Sequence, residues 1–594
     1  MIRKGGFMKY RIHLILFALF LTVFSVIPAH CQMKPEIMKA ADITGKKGGT
    51  LILALMSDPR TFNPLYSSSD QASSMVTNML FDGLTQINLK TQEIIPALAS
   101  NWSVSKDGKE WIFHIRKGAQ WSDGHPITAD DVIFTLETIY NPKIETPSKD
   151  ILQFNQQPLK AQKIDNYTIK INLPSIYAPF LRQMEKSTLP ILPKHKWEQE
   201  VKAGTFATAM GLNYDPKDII VSGPYMLEKY IPGQRVILKA NPNYYRYDKN
   251  NTRLPYFDKI VINIITDLNT IYYKLLSGEL HLWESLRPEE YSMLKEKSNS
   301  AQLKVEILGI SPGPEMLWFN LDNELNPKTK LPFMETKKIK WFNNLLFRKA
   351  IAFGIDRETI IRNVYYGTAK PAFGVENESN KIWYNSGIAT YSYDPKKAKE
   401  LLKQAGFTLK QETPNKSVLY DSDRNEVKFT LITNSKHAAR ASAVNFIASD
   451  LKKLGMKVNV QLMEFQNLVV KLTETFDYDM VLFAFTRPDL DPSSTMNFLV
   501  SSSGMHVWHP NEKQPASPWE ARIDELMNLQ LSTYDVAARK KYYDETQKII
   551  NEQLPVIYLY SPLAIAVYKN NIANLKCTII EPRCIWNIEE LSLK

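Results

Sequence analysis

The amino-acid sequence predicts an α/β protein that is divided into lobes. In the C-terminal half, three strand-like apolar runs alternate with two helix-like segments, in the order 427–434, 438–454, 457–465, 466–475 and 480–485. Because strands that alternate with helices usually form a parallel sheet covered by those helices, this half is predicted to be α/β. The chain has 594 residues. That is too many for one hydrophobic core, so two or three lobes are expected.

The N-terminal third begins with strand-like segments. Residues 48–55, GGTLILAL, indicate a first strand. Two short strands then flank a turn at residues 106–108, and Trp111, Phe113 and Ile115 alternate along the second of them. Alternating apolar residues beside a Gly-containing turn are typical of an antiparallel hairpin.

A capped helix is predicted to follow the hairpin. Thr128 and Asp131 have the spacing of a capping box, in which the acidic side chain satisfies the first free backbone N–H of a helix. One face of the segment behind them is apolar, with Val132, Ile133, Leu136, Ile139 and Tyr140. Farther along, Asp394 and Pro395 are predicted to begin another helix, and Gly406 to end it.

The N-terminus has the pattern of a secretory signal. Arg3, Lys4, Lys9 and Arg11 precede an apolar stretch from residue 14 to 27, which is followed by Pro-Ala-His-Cys. This stretch is too short for an ordinary membrane span. Lipoprotein signals place a small residue before the cysteine, where this chain has His30. We therefore expect residues 1–31 to be a signal peptide and the mature protein to be free in the periplasm, with a retained anchor as the alternative.

The charge distribution gives no indication of a nucleic-acid partner, and the cysteine spacing allows one disulfide. The net charge is +11, of which four charges lie in the signal, and no basic run occurs. The excess is therefore interpreted as a solubility feature, and no nucleic-acid partner is expected. Cys577 and Cys584 have a spacing that allows a disulfide in an oxidising compartment without requiring one.

The sequence contains little that indicates catalysis or a cofactor. No phosphate-binding glycine loop and no His-Glu-x-x-His motif occurs, and Ser222 lacks the surroundings of a nucleophile elbow. His506 and His509 are interpreted as surface residues rather than metal ligands, because they lie in a loop without nearby cysteines. Asp489 and Asp491 could act as paired carboxylates only if substrate fitted between them. We expect no catalytic residue, no metal and no cofactor.

Aromatic residues indicate a binding surface. The chain has 11 Trp, 28 Tyr and 26 Phe. Most are expected in cores. Tyr66, Trp318, Phe485 and Trp508 are predicted in loops or at strand ends, where a ligand cleft between lobes would need such groups.

Four stretches carry a resemblance to a known family. They are PALASNWSVSKDGKEWIFHIRKGAQWSDGHPITADDVIFTLETI, SGPYMLEKYIPGQRVILKANPNYY, FRKAIAFGIDRETIIRNVYYG and YDPKKAKELLKQAGF, in this order. From about residue 47 to the C-terminus the chain resembles the family 5 extracellular solute-binding proteins, which include the oligopeptide, dipeptide and nickel receptors of ABC importers. In this reading the WSDG turn is structural, and Asp123 satisfies turn amides.

The resemblance implies a type II periplasmic binding protein with three lobes and a ligand cleft that closes by hinge motion. Lobe I is assembled from separated segments, lobe II is an insertion, and lobe III is the second α/β half. The predicted boundaries are 47–80, 211–308 and 556–594 for lobe I, 81–210 for lobe II and 309–555 for lobe III.

The resemblance also implies a ligand site in the stretch FAFTRPDLDP, residues 483–492. Peptide-binding members often have Trp-x-x-Asp-x-x-Asp-Pro here. The backbone pairs with an extended ligand, and the first Asp holds its α-ammonium. Aligned on Asp491 and Pro492, the Trp position is Phe485 and the first Asp position is Pro488, with Asp489 displaced by one. Either Asp489 meets the ammonium, or Arg487 meets an anionic group.

The ligand-binding residues implied in this way are Asp489, Arg487, Phe485, Thr486, Trp508, Trp318 and Tyr66. The function implied is that of a non-enzymatic, monomeric substrate-binding protein, which captures peptides and delivers them to an ABC transporter permease in the inner membrane. A non-peptide solute such as a nickel chelate or an oligosaccharide is the first alternative. An exported hydrolase is the second.

Overall fold

The computed structural model describes residues 36, 38–39, 43–154, 157–326, 329–414, 416–487, 489–510 and 512–594. The predicted signal peptide and Pro488 lie outside the described residues. Three sheets organise the fold, and the lobe names predicted above are kept for them. The boundaries of the lobes remain predictions.

Lobe I is built on a four-stranded mixed sheet. Its order is Tyr225–Ile231, Arg235–Ala240, Lys259–Ile264 and Thr50–Leu55. The first strand of the chain lies parallel to Lys259–Ile264, with Leu51 opposite Ile260. Leu51, Leu53, Ile260 and Ile262 are buried, so the alternating apolar side of this sheet faces the core.

Lobe II contains the predicted hairpin in a four-stranded antiparallel sheet, ordered Ala99–Val104, Glu110–Ile115, Thr168–Asn172 and Lys160–Asp165. The predicted helix spans Ala129–Tyr140, and its capping acid accepts a hydrogen bond from the backbone of Thr128 (N to Asp131 Oδ2, 2.9 Å). In the WSDG turn, Asp123 Oδ1 accepts from the backbone N–H of His125 at 3.1 Å. The signature residues therefore shape the turn and the helix start, as predicted.

Lobe III has the predicted parallel order. Lys428–Asn434 pairs in parallel with Lys457–Met463 on one side and with Met480–Phe483 on the other. The helix Ala438–Lys453 connects the first pair, which confirms the strand-helix alternation. The second connecting helix is α-helical only over Phe465–Val470 and continues as a π-helical turn, Lys471–Thr475. The last strand ends at Phe483, two residues earlier than predicted.

One long strand, Val556–Lys569, is shared between lobes I and III, and we call it the shared strand. Its first part pairs with Glu315–Phe319 and with Ala369–Pro371, which belong to lobe III. Its last part pairs with Leu303–Ile310 and Leu282–Trp283, which belong to lobe I. Pro562 lies at the change of partners, opposite Ala369.

The remaining helices and strands surround these sheets. The other helices are Gln71–Leu80, Pro147–Ile151, Phe180–Gln183, Lys194–Ala203, Leu268–Leu276, Glu290–Lys297, Thr336–Asn343, Leu345–Gly354, Arg357–Val364, Pro395–Gln404, Met496–Leu499, Pro518–Leu531 and Val536–Gln553. The other strands are short and paired, namely Met38–Lys39, Thr85–Ile87, Ile94–Pro96, Gln153–Phe154, Gln157–Pro158, Arg246–Tyr247, Thr408–Thr413, Lys416–Tyr420, Ile572–Ala573 and Ser592–Leu593.

Two large cores hold the molecule together. One spans lobes I and II and includes the fully buried Trp121 and Trp197. The other fills lobe III and includes Trp318 and Trp508. Cys577 and Cys584 form a disulfide with an S–S distance of 2.00 Å. Among the described residues, no helix has the length and apolar character needed to cross a membrane.

Candidate ligand site between lobes II and III

The predicted site lies where lobe III faces lobe II. We call residues 484–495 the exit segment, because they leave the sheet after the strand Met480–Phe483. The segment ends in a 3-10 turn, Pro492–Thr495, whose N-cap is Asp491. The Asp491 carboxylate accepts from the backbone N–H of Ser493 at 3.0 Å, which is the expected way for an aspartate to begin such a turn.

Asp489 forms an ion pair that crosses from lobe III to lobe II. Its Oδ1 accepts from Arg182 Nη1 at 2.6 Å and from the backbone N–H of Asp491 at 3.0 Å. Arg182 lies on the lobe II helix Phe180–Gln183 and also donates to the carbonyl of Gln92 at 2.8 Å. The two side chains are 14% and 15% exposed. In this arrangement Asp489 already has a cationic partner, supplied by the protein.

Asp491 joins the same charge network from a more buried position. Its Oδ1 accepts from Arg539 Nη2 at 2.8 Å, and its Oδ2 lies 3.8 Å from Arg182 Nε. Burial alone would raise the pKa of the Asp491 carboxyl. The positive charges of Arg539 and Arg182, together with the hydrogen bond from Ser493, hold that pKa below its usual value. Asp491 is therefore ionised and structural.

Arg487 is paired inside lobe III. Its Nη1 donates to Glu376 Oε1 at 2.7 Å, and the two side chains are 7% and 1% exposed. Glu376 also accepts from the hydroxyl of Tyr543 and from the amide of Asn380, both at 2.7 Å. Burial opposes the charge of Arg487, yet the Glu376 carboxylate holds the pKa of that guanidinium above its usual value.

Phe485 and Thr486 lie near the start of the exit segment. Phe485 is half-buried and stacks on Trp318, with ring centroids 6.1 Å apart, while Thr486 is exposed. Within the described residues, no hydrogen bond engages the backbone N–H of Phe485 or the backbone groups of Thr486. Because free backbone groups at a strand end can pair with an extended chain, this stretch can bind a ligand through its main chain.

Further contacts between lobes II and III accompany the Arg182–Asp489 pair. The Tyr534 hydroxyl donates to the carbonyl of Gly108 at 2.7 Å, and the backbone N–H of Ala178 donates to the carbonyl of Leu531 at 2.7 Å. The rings of Trp111 and Tyr534 lie 6.3 Å apart. The structure therefore has these two lobes in contact beside the exit segment.

The other aromatic residues predicted for the site are dispersed. Trp318 and Trp508 lie fully buried in the core of lobe III, and Trp508 donates from Nε1 to Glu520 Oε1 at 3.1 Å. Both stand behind Phe485 rather than at a surface. Tyr66 lies in lobe I, and its buried hydroxyl has no hydrogen-bond partner among the described residues. Burial raises the pKa of Tyr66.

The interpretation of His506 and His509 as surface residues is wrong, because both are buried in lobe III. His509 Nε2 lies 3.2 Å from Asp322 Oδ1, and its Nδ1 lies 2.5 Å from Glu512 Oε1. Burial opposes protonation of His509, but the two carboxylates outweigh it and raise the pKa of His509 to about 10. The polar residues around Trp508 suggested a surface loop, but in the structure this loop contains a buried network of charged groups.

Sequence reasoning missed the basic and acidic partners of the exit segment. Arg182 is 307 positions away from Asp489, Glu376 is 111 positions from Arg487, and Arg539 is 48 positions from Asp491. No local spacing links such distant residues. The one signal in the sequence was the concentration of charges at 487–491, which must be neutralised wherever the segment is buried.

Comparison with known proteins adds independent information. Residues 93–506 match the middle region of the bacterial extracellular solute-binding proteins, family 5. A probable ABC transporter-binding protein of Deinococcus radiodurans is 28% identical over 532 residues, which cover 86% of this chain and 86% of that protein.

Two solved structures have similar folds. The oligopeptide-binding protein AppA of Bacillus subtilis, in complex with a nonapeptide, has a TM-score of 0.68 at 25% identity and covers 93% of this chain and 100% of its own. NikZ of Campylobacter jejuni, in complex with Ni(L-His), has a TM-score of 0.70 at 25% identity, with 91% and 99% coverage.

Proposed function

The chain belongs to family 5 of the bacterial extracellular solute-binding proteins, and from this premise we propose that it captures peptides between its lobes and delivers them to the permease of an ABC importer. Membership and the similar solved structures confirm the predicted fold, a type II periplasmic binding protein. The family consists of solute-binding proteins, so we further propose that the chain is not an enzyme.

The backbone groups of Phe485 and Thr486 left unpaired among the described residues are the observation that carries the peptide proposal. An extended peptide laid along this stretch would add main-chain hydrogen bonds to a strand end, as in β-augmentation. Recognition through the main chain tolerates many side chains, which would occupy hydrated pockets. The nonapeptide bound by the similar AppA protein is consistent with such a ligand.

The Arg182–Asp489 pair serves in this proposal as a closing contact rather than as a ligand clamp. It forms only when lobe II approaches the exit segment, so it stabilises the closed arrangement without using ligand charge. A ligand that touches both lobes adds to this stabilisation, and the difference in contacts between open and closed forms drives closure. The ammonium of a peptide would then have no ionic partner on the exit segment.

A non-peptide solute is the second candidate, and the same ion pair favours it. With Asp489 neutralised by Arg182 and Arg487 by Glu376, the exit segment offers no unpaired charge for either end of a peptide. The similar NikZ protein was solved with Ni(L-His). A small neutral or chelated solute would suit such a site.

We propose that the mature protein acts as a monomer in the periplasm after removal of residues 1–31. N-terminal sequencing of the exported protein tests this location. A first residue between His30 and Met33 supports it. Retention of the segment before residue 30, or a lipid on Cys31, contradicts it.

Native mass spectrometry of the mature protein as isolated tests the ligand class. Intact co-purifying peptides support the main proposal, whereas a metal chelate or sugar supports the second candidate. Peptides added and recovered as cleavage fragments would indicate a hydrolase. Calorimetric titration of the same peptides with free and N-acetylated ends should give similar affinities, because the proposal assigns the ammonium no ionic partner.

A further inference from the structure

A second cluster of polar groups lies inside lobe III, apart from the exit segment. The ligand-type atoms of His506, Glu512 and Glu520 all lie within 4.8 Å of one another. The three residues are 0%, 3% and 4% exposed. Two come from the loop before the helix Pro518–Leu531, and Glu520 lies in its first turn. Glu512 already faces His509, whereas Glu520 has no ion-pair partner at hydrogen-bond distance among the described residues, and burial of an uncompensated charge is costly.

His506 lacks the partners that a buried imidazole needs. Among the described residues, neither of its ring nitrogens makes a hydrogen bond. Nε2 is directed at Glu520 Oε1 but stays 3.8 Å away, which is too long for a hydrogen bond. A buried polar group without a partner loses its hydrogen bonds to water and gains none from the protein, which destabilises the folded state. The space between the ring and the carboxylates is therefore where a missing partner would lie.

The two carboxylates are held in place by other groups. Glu520 accepts from Trp508 Nε1 at 3.1 Å and from the hydroxyl of Ser517 at 2.6 Å. Glu512 accepts from the backbone N–H of Ala516 at 3.0 Å, and its Oε1 lies 2.5 Å from His509 Nδ1. Supporting partners of this kind orient ligands in metal sites. The two carboxylates are thus oriented by groups other than His506.

We propose that His506, Glu512 and Glu520 bind one first-row divalent cation, for which Zn²⁺ is the best chemical match. Imidazole nitrogen and carboxylate oxygen are both ligand types that zinc accepts. Tetrahedral zinc with bonds of about 2.0–2.2 Å needs donor atoms roughly 3.3–3.6 Å apart. The donor atoms of the cluster all lie within 4.8 Å of one another, so binding requires side-chain rotations that shorten this spacing. Full burial makes the site structural rather than catalytic.

The cation would fix the platform behind the exit segment. Trp508 bonds Glu520 and packs edge-on against Phe498, with ring centroids 5.7 Å apart. Phe498 in turn contacts Phe485, with centroids 6.0 Å apart. Occupancy of the cluster should therefore stabilise lobe III and the position of Phe485, without placing the metal in contact with the transported solute.

An exposed cluster in lobe II provides the control. Asp123, His125 and His195 also have donor atoms within 4.8 Å of one another. Their ring nitrogens are already engaged, because His195 Nε2 and His125 Nδ1 lie 2.8 and 3.1 Å from Asp123 Oδ2. Zinc that bound here would do so adventitiously. The exposed cluster has two histidines and one carboxylate, whereas the buried cluster has one histidine and two carboxylates.

The test uses tag-free mature protein that has been dialysed against a chelator and titrated with Zn²⁺ alone. We expect about one tightly bound equivalent and a higher melting temperature in its presence. His506→Gln and Glu512→Gln should each weaken zinc binding more than about tenfold and abolish the thermal shift. His195→Gln should leave both unchanged. Absence of zinc binding in the parent, or its loss only in His195→Gln, would overturn the proposal.

X-ray absorption spectroscopy of the zinc-loaded parent protein identifies the ligands of the metal, and this result does not require that the variants fold. A first shell with one imidazole supports the buried cluster. Two imidazoles assign the metal to the exposed cluster and overturn the proposal. The measurement does not depend on the identity of the transported solute. Its result therefore tests the zinc site independently of the proposed function.

Discussion

Two arginine–carboxylate pairs flank the same short segment but differ in what they connect. Arg487 and Glu376 both belong to lobe III, and their side chains are 7% and 1% exposed. Arg182 and Asp489 belong to different lobes and are 14% and 15% exposed. Glu376 of the first pair also accepts a hydrogen bond from the Tyr543 hydroxyl, and all three residues belong to one lobe. The second pair exists only while they meet.

This difference shows that adjacent charged residues of one segment can have separate physical roles. A pair within a lobe contributes to the free energy of unfolding of that lobe. A pair across lobes contributes to the equilibrium between open and closed forms, and therefore to apparent ligand affinity. Measurements of stability and of affinity on the same variants should separate the two.

The largest expected effect is on the pair within lobe III. Glu376→Ala leaves the Arg487 guanidinium buried and unpaired, which should lower the free energy of unfolding by about 3–5 kcal/mol. Urea denaturation measures this change. Glu378→Ala, at an exposed carboxylate two residues away, is the matched control and should change stability by less than about 0.5 kcal/mol. Equal losses of stability in both variants would contradict a specific stabilising role of the Arg487–Glu376 pair.

The second prediction concerns the pair across lobes. Arg182→Ala and Asp489→Ala should each weaken ligand binding by about 10- to 100-fold, because a charged hydrogen bond of about 1.5–3 kcal/mol is lost from the closed form. Their unfolding free energies should change much less. Titration calorimetry of both variants with the co-purifying ligand measures the effect.

The direction of the two changes is also informative. If a ligand ammonium displaced Arg182 from Asp489, Arg182→Ala would bind more tightly and Asp489→Ala more weakly. Opposite signs would therefore contradict the closing-contact role and restore Asp489 as an ammonium clamp. Equal signs, with no effect of N-acetylation, support the proposal.

A pH measurement should sharpen the comparison at Asp491. Its pKa is lower in the folded protein than in the unfolded chain, so its contribution to stability is present above the unfolded pKa and lost as pH falls through the folded pKa. Parent and Asp491→Asn should thus differ in unfolding free energy at neutral pH and converge on acidification. Urea titrations between pH 7 and about 2 test this. A constant difference across that range would contradict the role of the charge.

The smallest effects are expected far from both pairs, in the lobe II signature. Asp123→Asn and Thr128→Ala should lower the free energy of unfolding by about 0.5–2 kcal/mol through loss of turn and cap hydrogen bonds. Ligand preference should stay unchanged. Melting temperature and affinity must be measured on the same samples. Loss of binding at an unchanged melting temperature would show that these residues do more than shape the fold.

Elements set by local patterns could be predicted from the sequence. The capping acid Asp131 and the strands around 428–434 and 457–463 follow rules that act over a few residues, and the structure contains them. The parallel order of these strands followed from the alternation of strands and helices. The spacing of Cys577 and Cys584 only allowed a disulfide, which the structure contains.

The candidate site rests on the resemblance and stays a prediction. The resemblance proposes Asp489 and Arg487 as ligand-binding residues, whereas their protein partners Arg182 and Glu376 lie on distant elements that only the fold brings close. His506 and Trp508 were misjudged for a related reason. A loop rich in polar residues usually lies at the surface, and here the helix Pro518–Leu531 covers it.

The shared strand has a mechanical consequence. Because Val556–Lys569 belongs to both lobe sheets, a relative rotation of lobes I and III is a torsion of one continuous ribbon, and the lobes cannot slide past each other without breaking its ladders. Pro562, where the partners change, has no N–H to donate, and its carbonyl accepts from the backbone N–H of Ser311 at 2.9 Å. A change in the angle between lobes I and III must therefore be accommodated within this one strand.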